Sequence, residues 1–213
     1  LVHLILVFIF FYTYSNTVNS FEIRQKNLIK PYCKGKIGFD STNIYTQSKK
    51  PKKIEVVFNN QRKYYKNFIR LIKTLGNYPE TKIISKTFKK FEYAEVYAHY
   101  ENNIICKFKA KARITGSKGT HVSKTDLISS LSIKLEDGNI LHKNKFLLLI
   151  PRARFNENEI FIASLFQEIN FLSPITFYVE TEINGTKAGK FIFQEKISLS
   201  TISHNKRGKG IIL

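Results

Sequence analysis

The stretch that most constrains this chain is Phe171–Ser198, FLSPITFYVETEINGTKAGKFIFQEKIS. Two runs rich in aromatic and β-branched residues flank Asn184-Gly185. A two-residue hairpin turn needs positive φ at its central positions, which Asn and Gly adopt at low cost, so a tight antiparallel hairpin is expected. Its second strand ends in Gln194-Glu195-Lys196. The hairpin is either a structural plug or one wall of a binding cleft.

The segments before it are of both kinds. Ile54–Phe58 reads as a strand. Gln61–Leu75 follows as a helix, with Tyr64, Phe68, Leu71, Ile72 and Leu75 at helical spacing. Arg62, Lys63, Lys66, Arg70 and Lys73 fall mostly elsewhere on it, and Gly76 marks its stop. Strands are expected over Lys82–Phe88, Tyr93–Tyr100 and Ile104–Thr115. The last alternates strictly: Ile104, Cys106, Phe108, Ala110, Ala112 and Ile114 point one way, and Lys107, Lys109, Lys111 and Arg113 the other. A two-residue turn at Asn102-Asn103 would set Ala94, Val96 and Ala98 opposite those cations, open to solvent or to an anionic ligand. A solvated lysine face is the commoner outcome of such a pattern.

Leu127–Glu136 reads as the next strand, ending at Asp137-Gly138, with Ser130, Ser132 and Lys134 on one face and Leu131, Ile133 and Leu135 on the other. Lys145–Ile150 is short and apolar, and Pro151 closes it. A second helix is expected over Glu157–Asn170, with Ile162, Leu165, Phe166 and Ile169 as its core side. Asn156 followed by Glu159 has the form of a capping box.

Composition bounds the class. With 43% hydrophobic and 14% aromatic residues, the chain can bury a core, which argues against disorder throughout. Leu1–Tyr14 is almost unbroken apolar sequence. It is short for a spanning helix, which needs about 20 residues, and long enough for a signal-peptide core. No Met occurs anywhere, and small polar residues from Ser15 to Ser20 suit cleavage. The expected organisation is a signal peptide or membrane anchor over 1–20, a linker over 21–53, and a folded domain over 54–213. That places the protein outside the cytoplasm, exported or membrane-anchored. Cys33 and Cys106 are the two cysteines, too few for a disulfide framework or a metal cluster. Export permits a Cys33–Cys106 bridge, although a buried free thiol is the usual outcome for a cysteine on the apolar side of a strand.

The 35 Lys+Arg against 16 Asp+Glu give a net charge of +19. Such a field attracts nucleic acid, nucleotides, phosphorylated glycans or an anionic membrane surface. The lysines are scattered, as in an Asn-, Ile- and Phe-rich composition generally, so no specific nucleic-acid role is expected. Lys49-Lys50-Pro51-Lys52-Lys53 reads as a solvated linker end. The five His show no ligand spacing, and no Ser-His-Asp set assembles.

The order of parts from Ala110 onward resembles a known pattern. A strand leads to Gly116-Ser117-Lys118-Gly119, then to a strand carrying an inward cation, an Arg-rich turn, a helix, Ile183-Asn184-Gly185, and Phe191–Ile197 ending in an acid. This is similar to the N-terminal part of the spore-coat CotH kinase family. It is closest to its divergent marine-bacterial branch around Asn158-Glu159-Ile160-Phe161 and Phe171-Leu172-Ser173-Pro174. The resemblance implies an α+β fold, a mostly antiparallel sheet with two helices arranged as a kinase-like N-lobe after the N-terminal apolar helix. It also implies ATP and Mg²⁺ as cofactors and phosphorylation of a protein or surface component. By position, Gly116, Ser117, Lys118 and Gly119 would cover the phosphates and Lys134 would contact them, or Ser132 if the match shifts by two. Glu159 would orient the lysine. Glu195 would lie near the adenine, where the chain crosses to a larger lobe. That lobe's acids are missing because Glu195 is the last acidic residue, so the chain by itself is expected to be inactive. The alternatives are a non-catalytic envelope or surface-assembly protein, and a polyanion binder acting through Lys107, Lys109, Lys111 and Arg113.

Overall fold

The computed structural model describes residues 46, 48–77 and 79–197. The expected leader or anchor at 1–20 and most of the expected linker lie outside them. Among the described residues, no helix is long and apolar enough to cross a membrane. The elements are β1 (Lys53–Phe58), α1 (Gln61–Leu75), β2 (Glu92–His99), β3 (Ile105–Ile114), β4 (Val122–Ser123), β5 (Ile128–Ser129), β6 (Leu131–Leu135), β7 (Lys145–Leu149), α2 (Glu157–Glu168), β8 (Thr176–Ile183) and β9 (Thr186–Glu195).

Seven strands form a closed barrel in the order β1-β2-β3-β6-β7-β9-β8, with β4 and β5 as a separate ribbon. This overturns the expectation of a kinase-like small lobe. Mostly antiparallel strands and two helices are present, but the sheet has no edges. Closure comes from β1 and β8, which pair in parallel from Lys53↔Glu180 to Val56↔Ile183. The other seams are antiparallel. Closing the sheet pairs every strand on both sides and removes the unpaired edge groups of an open sheet.

The barrel is a packed core. Phe193 stacks between Phe146 and Phe177, with both pairs of ring centroids 4.7 Å apart. Ala94, Ala98, Ala110 and Ala112 line the opposing strands, so large and small side chains fill the section together. Each buried Phe contributes about 1.5–3 kcal/mol from burial. One end is closed by α1, whose Tyr64 ring stacks on Phe58 at 4.2 Å. Phe68, Leu71 and Leu75 continue that seal.

The sequence-level hairpin stands as expected. Asn184 and Gly185 both have positive φ, at 51° and 80°. Asn184 also does something a turn alone would not require. Its side-chain oxygen accepts from the Phe58 amide at 2.9 Å, and its own amide donates to the Val56 carbonyl at 2.9 Å. The turn thus ties the parallel seam.

Other expectations shift. Lys82–Phe88 is not a strand: it makes one bridge, Ile83↔Lys118, and a 3₁₀ turn over Lys86–Phe88. The connection between β2 and β3 is a three-residue 3₁₀ turn over Glu101–Asn103 rather than a two-residue turn. This moves the register by one: Lys111 faces Tyr93, Lys109 faces Glu95, and Lys107 faces Tyr97. One residue of slip changes the face that every side chain meets. Ala94, Val96 and Ala98 therefore face Ala110, Phe108 and Cys106 inside the barrel. Cys106 is disulfide-bonded, not a free thiol. The chain's other cysteine, Cys33, lies outside the described residues.

Candidate functional site

The structure places the residues expected to hold a nucleotide on both faces of the sheet, Lys134 outward and Glu195 inward. In the Gly116–Gly119 loop, the Gly119 amide donates to the Lys82 carbonyl at 2.9 Å, and the Ser117 carbonyl accepts from the Ile84 amide at 2.9 Å. Lys118 is bridged to Ile83. Gly116 has φ +104°, and a Cβ there would sit 2.1 Å from Cγ of His121. Gly116 serves close packing, and the loop is fastened to the 82–84 segment.

Lys134 stands on the outer face of β6, exposed, and not inward. Glu159 accepts from Arg154 at 2.6 Å and from the side-chain amide of Gln194. Asn156 makes no side-chain cap on α2, so the capping box does not form. Glu195 points into the barrel, where its carboxylate lies 2.6 Å from Nζ of Lys143 with both side chains buried. Its side chain is therefore not at the surface. Glu159 and Glu195 lie on opposite faces of the sheet, because their contacts run through the outward Gln194 and the inward Glu195. Both are committed to cations. Among the described residues, no group of His, Cys, Asp and Glu could hold a metal ion.

What the fold assembles instead is a basic outer face. Along β3, the alternation that buries Cys106, Phe108, Ala110 and Ala112 turns Lys107, Lys109, Lys111 and Arg113 outward. The ladder then places Tyr93, Lys111, Lys134 and Lys145 directly opposite one another across β2, β3, β6 and β7. Neighbouring strands are about 4.8 Å apart, and like charges directly opposite are destabilising. Glu136 offsets one member, lying 2.7 Å from Lys111. Its hydrogen bond raises the Lys111 ammonium above the ordinary lysine range. Lys134 and Lys145 have no acidic partner among the described residues.

Aromatic rings lie among these cations. Lys111 Nζ sits 4.7 Å from the centroid of Tyr93, and the Arg113 guanidinium sits 4.6 Å from that of Phe91. Both rings are among the exposed apolar side chains. Arg113 donates to the Lys89 carbonyl at 3.3 Å, and its Nε is buried without a hydrogen-bond partner. The Lys89 ammonium is held below the usual lysine range, by burial first and then by Arg113 and Lys86. The cations here are crowded enough to oppose one another's charge.

The face extends toward α1. Lys63 lies 3.7 Å from Glu92, and Asn67 donates to the Phe88 carbonyl at 3.0 Å. Arg62, Lys66, Ile69, Arg70 and Lys73 line an open groove of about 780 Å³ along the helix. No acid occupies its first turn. Cations at a helix N-terminus oppose the macrodipole, so Arg62 and Lys63 are not placed there to stabilise α1.

Not every cation named from sequence is available. Lys107 is bound by Glu95 at 2.6 Å. Burial opposes ionisation of Glu95, but hydrogen bonds from Lys107 and Tyr97 outweigh it and hold the carboxyl low. In the 49–53 cluster, Lys50 lies over the Phe177 ring at 5.3 Å, Lys52 pairs with Glu101 at 3.5 Å, and Lys53 bridges Glu55 and Glu182. Sequence reasoning missed Lys145, Tyr93 and Phe91. Lys145–Ile150 reads only as a short apolar strand, and which strand lies beside Lys145 is not readable from it.

In comparisons with protein-family models and with curated proteins, nothing matches the chain. Nothing there identifies the spore-coat CotH kinase family.

Proposed function

We propose that this protein is a non-catalytic module that binds a linear polyanion without reading a sequence. The observation that carries the proposal is the cross-strand row of Lys111, Lys134 and Lys145, three like charges in register with one acid to offset them. Folding alone does not favour that row; a bound anion relieves it. Tyr93 and Phe91 add flat apolar surface beside the charges, the combination by which single-stranded polyanions with rings are held. Arg113 contributes a planar cation stacked on the Phe91 ring. The α1 face lengthens the track.

The test is binding of a labelled polyphosphate chain and of a single-stranded oligonucleotide of mixed sequence as salt is varied. Each phosphate contact contributes roughly −0.7 to −0.9 to the slope of log K against log salt, so a track of four cations gives about −2.8 to −3.6. Substituting Lys134→Ala with Lys145→Ala lowers that slope by about two contacts. Binding that is independent of salt, or unchanged in the double variant, rules the proposal out. A preference for the oligonucleotide that disappears in Tyr93→Ala assigns the aromatic rings to stacking.

A further inference from the structure

A second surface stands apart from the basic face. α2 buries Ala163 and no other residue. Its outward side carries Phe161, Ile162, Leu165 and Ile169, spaced so that they form one stripe along the helix. Phe155 precedes it and Phe171 follows it, 81% and 64% exposed. Phe155 also has φ +57°, a conformation bulky residues rarely adopt. With Phe166 and Leu172, these eight side chains are all exposed large hydrophobics. An apolar stripe of this kind on a helix normally faces the core or a partner.

The charges select the occupant. α2 contains Glu157, Glu159 and Glu168 and no Lys or Arg. An anionic membrane or the polyanion of the basic face would be repelled, and interfacial membrane helices carry cations on their polar side. We infer that α2 is the contact by which two copies of this chain form a two-fold dimer, the stripe of one copy packed on the stripe of the other. The exposed apolar surface of the eight residues is on the order of 800 Å² per chain, the contribution each partner makes to a standard-size interface. A two-fold axis crossing the stripe sets the helices antiparallel. Glu168 of each copy then lies by the positive N-terminal end of the other copy's α2, where Arg152 is exposed.

Sedimentation equilibrium of the full chain tests this. The wild type is expected to sediment at twice its chain mass at concentrations on the order of 10 µM, within the range where interfaces of this size associate. Leu165→Glu and Phe161→Glu are expected to give monomers with unchanged thermal unfolding and unchanged polyanion affinity, because both side chains are exposed in the single chain. A wild type that stays monomeric, or a Leu165→Glu variant that dimerises equally well, overturns the inference. So does a monomer that co-sediments with neutral phosphatidylcholine vesicles, which would assign the stripe to lipid. A series of species beyond the dimer also overturns it, since a two-fold contact closes on itself.

Discussion

Lys143 Nζ lies 2.6 Å from the carboxylate of Glu195, and both side chains are almost completely buried at the end of the barrel away from α1. Removing one partner strands the other charge in a region that cannot solvate it. Lys143→Met or Glu195→Gln is therefore expected to lower the unfolding free energy by about 3–5 kcal/mol, read by denaturant titration. Replacing both, as Lys143→Met with Glu195→Leu, should recover most of the loss. If the single variants were as stable as the wild type, the pair would not be buried as described.

Gly116 has no room for a side chain. A Cβ would enter the His121 ring, and its φ of +104° is one that L residues rarely adopt. Gly116→Ala should cost about 2–4 kcal/mol, visible as a lowered melting temperature. Mg·ATP should not shift the melting temperature of the wild type, since the Gly119 amide and the Ser117 carbonyl are already bonded to Lys82 and Ile84. A stable Gly116→Ala variant, or a wild type stabilised by Mg·ATP, would return the loop to nucleotide binding.

His121 gives the fold a defined acid response. Its ring meets Ser130 Oγ at 3.0 Å, and burial first, then Arg154 and Lys89, push its pKa from 6.5 down to about 4. Between those values the unfolded chain takes up a proton that the folded ring refuses. Stability is full above pH 6.5, falls as the pH drops toward 4, and changes no further on this account below it. Solvent screening keeps the loss to about 1 kcal/mol by the time the pH reaches about 5. His121→Asn should flatten that window. The drop at lower pH, where Glu55 and Glu95 take up protons, should persist in the variant, because both carboxyls are held below their ordinary range.

Asn184 joins the hairpin to the parallel seam through the Phe58 amide. Asn184→Ala removes that acceptor and places a less tolerant residue at positive φ. A loss of about 1–3 kcal/mol is expected, measured by denaturant titration. Amide exchange should quicken at Phe58 and Val56 before it quickens in β3. Equal protection of both regions would mean that the turn does not hold the seam.

Much of the chain was legible because local patterns matched local structure. The α1 span, the Asn184-Gly185 turn and the outward cations of β3 follow from helical spacing, turn chemistry and strict alternation. Closure of the sheet was not legible. It depends on β1 meeting β8 in parallel across more than a hundred residues, and no local pattern encodes that pairing. The same gap hid the candidate site. Lys134 stood out as a single lysine on a strand, but its meaning comes from Lys111 and Lys145 on either side. Glu195 could be placed at a strand end but not inside a barrel, because Lys143 reaches it from a separate loop. The one-residue shift after β2 follows from Asn103 taking positive φ in a three-residue turn, where two asparagines had suggested two.

The most direct measurement is the salt dependence of polyphosphate binding, wild type against Lys134→Ala with Lys145→Ala. The cross-strand lysine row with Arg113 predicts a log–log slope of about −2.8 to −3.6 for the wild type, less steep by about 1.4 to 1.8 in the variant. Equal slopes for the two proteins, or no measurable binding at low salt, would contradict the assignment of that face.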